Sequence, residues 1–102
     1  MEIKTIRADE VLEKVRAGEQ LAIIDVREKD EIASGHIPGI IHIPLFQLPQ
    51  QLDQLDRNTS YVIVCQSGAR SAQATLFLRH HGFDAVNMIG GMDAWRGEVI
   101  SG

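Results

Sequence analysis

The segment Tyr61-Val-Ile-Val-Cys-Gln-Ser-Gly-Ala-Arg-Ser71 joins an apolar run to a short polar loop. Residues 61–64 are uncharged and mostly β-branched, which is typical of a strand buried on both faces. Gly68 tolerates the positive φ angles of a tight turn. A helix is predicted over about residues 71–81, because a glycine follows that stretch and provides a helix stop. Cys65 therefore lies between the end of a strand and the beginning of a helix.

The loop after Cys65 is predicted to stabilise negative charge on sulfur. Backbone N–H groups at a helix N-terminus are unpaired and partially positive, so they attract anions. Gly68 allows such amides to turn inward as a nest, and Arg70 adds a permanent cation. These features favour the thiolate, the nucleophilic form of cysteine. The competing interpretation makes Cys65 a small apolar side chain at the end of a core strand. The strand–turn–arginine–helix context favours the reactive cysteine.

Strands and helices alternate on both sides of this segment, which indicates an α/β protein. The other predicted strands span 21–24, 40–43 and 85–88, and the predicted helices include 8–17 and 28–34. Such alternation predicts a parallel sheet with helices on both faces, in which ligands bind at the carboxyl ends of the strands. Cys65 lies at one of these ends.

Residues 46–55 form an amphipathic segment that is predicted to be helical with an interruption near Pro49. The spacing of Phe46, Leu48 and Leu52 fits either a partner-docking face or a helix lying on the sheet. We expect the second arrangement, with all three side chains in the core.

Composition and charge narrow the possible functions. The chain has 102 residues, 44% hydrophobic and 24% charged, which predicts one domain over residues 1–102. A net charge of −4 and an aromatic content of 5% argue against nucleic-acid binding. The apolar run 21–24 is far too short to span a membrane, and residues 1–5 lack signal-peptide character. A cytoplasmic protein without a membrane partner is therefore expected.

Metal and cofactor sites are not predicted. Cys65 is the one cysteine of the sequence, which excludes an intramolecular disulfide and a cysteine-built zinc site. The four histidines have no i,i+4 spacing suited to a metal. Residues 57–83 contain no carboxylate. This gap fits either a core segment or a site that holds an anion.

Several motifs together resemble the rhodanese domains, which are sulfurtransferases. Residues 65–71 resemble the active-site loop of that family. The other similar segments are Asp25-Val-Arg27 with Glu31, Gly35-His-Ile-Pro-Gly39, Ile43-Pro44, Gly82-Phe83 and Gly90-Gly-Met-Asp-Ala-Trp95. The matches occur in the family's order over about residues 20–96, so the resemblance is specific.

The resemblance implies a rhodanese-like, mainly parallel five-stranded sheet and a persulfide mechanism. The Cys65 thiolate would take a sulfane sulfur from a small donor such as thiosulfate. It would then pass this sulfur to cyanide, a thiol or a sulfur-relay protein. Arg70 would stabilise the anionic donor and the departing sulfite, and no cofactor is required. The implied substrate-binding residues are Gln66, Ser67, Gly68, Ala69 and Ser71. Of these, Ser67 is expected to direct its hydroxyl toward the site and Ser71 to start the helix.

Asp25 and Arg27 follow a predicted strand near the same edge of the sheet. One interpretation has them lining the pocket. The other, which we favour, has them pair with loop amides or with each other to hold the site.

Three other functions compete with the sulfurtransferase. Similar-fold phosphatases have five residues between cysteine and arginine, whereas four separate Cys65 from Arg70. A shorter loop forms a smaller ring of backbone amides, which suits one sulfur atom better than a phosphate. Gln66 stands where many rhodanese domains have a basic residue, which leaves room for a sulfur carrier loaded by a partner. A redox sensor would oxidise Cys65 to a sulfenic acid.

Overall fold

Five parallel strands form one sheet in the computed structural model, which describes residues 3–102. The strands are β1 (Thr5–Arg7), β2 (Ala22–Asp25), β3 (Ile41–His42), β4 (Ser60–Val64) and β5 (Asp84–Ile89). Their order across the sheet is β1-β5-β4-β2-β3. Met1 and Glu2 lie outside the described residues. Both belong to the predicted domain 1–102 and to residues 1–5, which lack signal-peptide character.

Helical segments cover both faces of the sheet. They are α1 (Ala8–Arg16), α2 (Lys29–Ser34), α3 (Ala69–His80) and two 3₁₀ helices, Leu45–Gln54 and Gly91–Ala94. Successive strand residues point to opposite faces. Ile63 accordingly packs in the core that includes Leu78 of α3, whereas Val62 packs in the core that includes Val11 of α1. The predicted α/β fold with helices on both faces is confirmed. Within residues 3–102, no helix has both the length and the apolar character to cross a membrane.

The centre of the sheet positions Cys65. Strand β4 pairs with β5 on one side and with β2 on the other, and Cys65 is the next residue after β4. The last residue of β2, Asp25, pairs with Val64. The carboxyl ends of β2 and β4 therefore bring Asp25 and Cys65 to the same sheet edge.

Several element boundaries differ from the sequence predictions by one or two residues. Helix α3 begins at Ala69, because Gly68 adopts φ +107° as its N-cap and leaves a shorter loop than expected. Strand β3 contains two residues rather than four. Strand β1 was not predicted, because Thr-Ile-Arg is too short to show an alternating pattern and lies at the sheet edge, paired only with β5.

The expected burial of Phe46 is wrong. Leu48 is fully buried and Leu52 packs against the core, but Phe46 is 65% exposed. The segment is a 3₁₀ helix with Pro49 inside it, rather than an α-helix. At three residues per turn, Leu45 and Leu48 share the core face and Phe46 does not.

Candidate active site

Hydrogen-bonding groups surround the Cys65 sulfur, even though the side chain is buried. The residue is 0% exposed and packs at the edge of the core. Its Sγ accepts the Gly68 N–H at 3.0 Å and lies 3.2 Å from the Ser71 hydroxyl oxygen. The Gly68 amide faces the sulfur, and Gly68 itself has the positive φ of +107° that the nest interpretation requires.

The surroundings of Cys65 favour the thiolate. Burial raises the pKa of the Cys65 thiol, but the Ser71 hydroxyl and the amides of Ser71, Gly68 and Ser67 outweigh it. The net result is a pKa of Cys65 below its ordinary value. A lowered thiol pKa in a loop at a helix N-terminus is characteristic of reactive cysteines.

The hydroxyl beside the sulfur belongs to Ser71, which was expected from the sequence to start the helix. Ser67 is exposed, and its amide is one of the groups that lower the pKa of Cys65. Ser71 is fully buried as the third residue of α3, because the helix begins two residues earlier than predicted. The helix therefore starts at Ala69, and its first turn delivers the Ser71 hydroxyl to the sulfur.

Asn87 on β5 is a site residue that the sequence analysis missed. The Ser71 hydroxyl donates to Asn87 Oδ1 at 2.5 Å, and Asn87 Nδ2 donates to the Gly68 carbonyl at 3.3 Å. A serine hydroxyl has one hydrogen. While Ser71 donates to Asn87, its oxygen can only accept from the Cys65 thiol; after ionisation, the hydrogen can rotate toward sulfur. The one signal in the sequence was a polar amide residue within the otherwise apolar run 85–88.

The turn after β5 fixes the outer side of the Cys65 loop. The Met92 amide donates to the Cys65 carbonyl at 2.8 Å, and the Asp93 amide donates to the Gln66 carbonyl at 2.9 Å. Gly91, at φ +55°, lies so close that a β-carbon there would overlap the Cys65 carbonyl oxygen. These contacts give the C-terminal glycine motif a physical role: it holds the two loop carbonyls in place.

Asp25 and Arg27 form a buried ion pair beneath the loop, the pairing that we favoured from the sequence. Arg27 Nη2 lies 2.9 Å from Asp25 Oδ2, and both side chains are less than 5% exposed. Arg27 also donates to the Gly35 carbonyl at 2.8 Å and to Gln66 Oε1 at 3.1 Å. One guanidinium therefore ties the end of β2, the end of α2 and the Cys65 loop together.

Arg70 is paired with a carboxylate rather than presented alone. Its Nη1 and Nη2 donate to Glu31 Oε1 and Oε2 at 2.7 and 2.8 Å. The hydrogen bond from Arg70 lowers the pKa of Glu31 to about 2 despite partial burial. Hydrogen bonding to Glu31 is also the main cause that raises the pKa of Arg70, with the Cys65 charge contributing less.

Gln66 links the buried ion pair to a second carboxylate. Its Oε1 accepts from Arg27, and its Nε2 donates to Asp93 Oδ1 at 2.7 Å. Glu31 and Asp93 thus border the loop from distant parts of the chain. The absence of carboxylates from residues 57–83 therefore does not keep carboxylates away from the site, because other parts of the chain supply them.

The other candidate ligands stay apart. His36 Nδ1 lies 2.8 Å from the Ile32 carbonyl, within its own local turn. Among residues 3–102, His, Cys, Asp and Glu side chains form no group of three that could hold a metal ion.

The fold and the site together define an α/β protein with a loop that stabilises a cysteine sulfur anion at the end of the central strand. The chain belongs to the Rhodanese-like domain family, whose sequence model matches residues 7–98. It is 45% identical to "Putative sulfurtransferase YtwF" of Bacillus subtilis over 97% of this chain and 96% of the relative.

Two further proteins are similar. "Putative sulfur carrier protein YrkF" of Bacillus subtilis is 38% identical over 95% of this chain, which spans 53% of that relative. The crystal structure of a rhodanese-like domain protein from Staphylococcus aureus matches with a TM-score of 0.92 and 39% identity. That match covers 98% of this chain and 99% of the other. The family and the relatives assign the chain to the sulfurtransferase type.

Proposed function

We propose that this protein is a sulfurtransferase that carries sulfane sulfur as a persulfide on Cys65. The observation that supports this most directly is the hydrogen bonding of Cys65 Sγ by the Gly68 amide and its contact with Ser71. Donors at these positions stabilise negative charge on the thiolate before attack.

The transfer proceeds in two displacements. The Cys65 thiolate attacks the outer sulfur of a donor such as thiosulfate, forms a new S–S bond and expels sulfite with the electron pair of the old one. A nucleophile such as cyanide or a thiolate then attacks the outer sulfur and restores the Cys65 thiolate. Two lower barriers replace one, as in other covalent catalysis, and neither step requires a cofactor.

Each loop residue has a role in this proposal. The amides from Gln66 to Arg70 surround the transferred sulfur, with Ser67, Gly68 and Ala69 contributing through the backbone. Ser71 contributes its hydroxyl. Asp25 and Arg27 act indirectly, because the Arg27–Gln66 hydrogen bond holds the loop in place.

A sulfur-relay role is the second candidate, supported by the similarity to a protein named as a sulfur carrier. In that role a partner protein loads Cys65, and small acceptors are used poorly.

Thiocyanate formation from a sulfur donor and cyanide tests the proposal. The wild-type protein should turn over repeatedly, and Cys65→Ser should produce none above the uncatalysed rate. A wild-type protein whose Cys65 takes up sulfur but turns over negligibly would favour the carrier. Failure of Cys65 to accept sulfur from any donor would overturn both.

A further inference from the structure

The two arginines at the Cys65 loop are both neutralised by carboxylates. Arg27 is bonded to Asp25 at 2.9 Å, and Arg70 forms two parallel hydrogen bonds with Glu31. A guanidinium that is already bonded to a carboxylate adds little net charge to the field that an approaching ion experiences.

Asp93 places a further negative charge on the other side of the loop. Its described side-chain partner is the uncharged amide of Gln66, at 2.7 Å. The start of α2, which holds Glu31, adds Glu28, Lys29 and Asp30, two anions against one cation. The region around the thiolate therefore carries more negative than positive formal charge.

Resting on the proposed function, we propose that Glu31 and Asp93 are specificity-determining residues that select the sulfur donor by its charge. The preferred donor carries at most one negative charge on the transferring group, as a persulfide on a thiol does, and the thiosulfate dianion is disfavoured. The geometry explains this selection: Glu31 occupies both of the Arg70 nitrogens that a sulfonate group would otherwise bind.

Sulfur transfer from such a persulfide is balanced without a further reagent. The Cys65 thiolate attacks the outer sulfur of RSSH, and a new S–S bond forms while the original S–S bond breaks. The thiolate RS⁻ leaves with the electron pair, and the proton stays on the transferred sulfur. Cys65 then carries –SSH, so sulfane sulfur has moved with no net oxidation.

Two sulfur donors that differ by one charge provide the test. Thiosulfate and methanethiosulfonate both transfer a terminal sulfur and release sulfite or methanesulfinate, but thiosulfate carries one more negative charge. The rate constant for Cys65 loading is measured with each donor at low ionic strength. The wild-type protein should load faster with methanethiosulfonate.

The variants Glu31→Gln and Asp93→Asn remove one charge each and keep the side-chain size. Each should raise the thiosulfate-to-methanethiosulfonate rate ratio about threefold or more, the value expected for one charge about 6 Å away in water. High salt should reduce this gain. Asp84→Asn is the matched control: it changes the net charge equally at the start of β5, the opposite sheet edge, and should leave the ratio unchanged.

The two possible failures are distinguishable. If wild-type protein loads equally fast from both donors, or if neither Glu31→Gln nor Asp93→Asn changes the ratio, the charge selection is wrong while the persulfide chemistry stands. If no donor loads Cys65, the proposed function itself fails.

Discussion

Gly91 lies directly against the carbonyl oxygen of Cys65, with no space for a β-carbon between them. An alanine there would overlap this oxygen and would also hold an unfavourable φ of +55°. Gly91→Ala should therefore displace the loop and move the Cys65 sulfur away from its donors. We expect sulfur transfer to fall at least tenfold and stability to fall by about 2–4 kcal/mol.

Gly18→Ala separates the effect of the overlap from that of backbone strain. Gly18 has φ +84°, but its β-carbon would meet no atom within 4 Å. This variant should lose about 1–2 kcal/mol and keep its activity. Sulfur transfer and urea denaturation are measured for both variants. If Gly91→Ala were as active as the wild-type protein, the turn after β5 would not hold the loop.

The Ser71 hydroxyl should set the reactivity of Cys65. Ser71→Ala removes one of the groups that lower the pKa of Cys65, so the thiolate should form at higher pH. The rate of iodoacetamide alkylation against pH measures this directly. Thr75→Val is the control, because Thr75 donates to the Ser71 carbonyl in the same helix without contacting the sulfur. An unchanged alkylation profile in Ser71→Ala would contradict the assignment.

Asn87 should disfavour the Cys65 thiolate, which is the opposite of the effect of Ser71. Asn87 accepts the Ser71 hydrogen at 2.5 Å and so competes with the thiolate for it. Asn87→Leu removes this acceptor, so the hydrogen turns to sulfur and alkylation should shift to lower pH. A shift to higher pH would instead mean that the Asn87–Gly68 bond, which holds the loop, is the more important contact.

The buried pair of Arg27 and Asp25 should dominate stability at the site. Arg27→Ala leaves the Asp25 carboxylate buried without its cation, which should cost about 3–5 kcal/mol in urea denaturation. Arg7→Ala is the surface counterpart: its contacts to Asp9 and Glu10 are exposed and should be worth under about 1 kcal/mol. Equal, small losses in the two variants would show that Arg27 is not structurally required.

The ion pair of Glu31 with Arg70 predicts a specific pH dependence. The pKa of Glu31 is about 2 when folded, against an ordinary value of 4.5. The unfolded chain therefore takes up the proton first as pH falls. The stabilisation is complete above pH 4.5, declines between 4.5 and about 2, and is absent below. Stability measured against pH should show the wild-type protein losing its advantage over Glu31→Gln across this range; a constant difference would contradict it.

Local sequence predicted the centre of the site, because one strand, one turn and one helix build it. The run 61–64, Gly68 and the helix that follows are continuous in the chain, so Cys65 could be located without the fold. The pairing of Asp25 with Arg27, two residues apart, was predictable for the same reason.

Long-range partners could not be predicted in this way. Glu31 lies 39 residues from Arg70, and Asn87 lies 16 from Ser71. These contacts depend on the order of the strands and on the exact start of α3, neither of which is encoded in a local pattern. The consequence was largest for Arg70, whose charge is predictable from its identity but whose neutralisation by Glu31 is not.

Intact-protein mass measurement after brief exposure to methanethiosulfonate examines sulfur uptake with the fewest assumptions. The wild-type chain should gain about 32 Da, one sulfur atom, and lose it again on addition of cyanide. Cys65→Ser should gain nothing. A wild-type chain that stays at its original mass with every sulfur donor, or a Cys65→Ser chain that gains the same mass, would contradict the account.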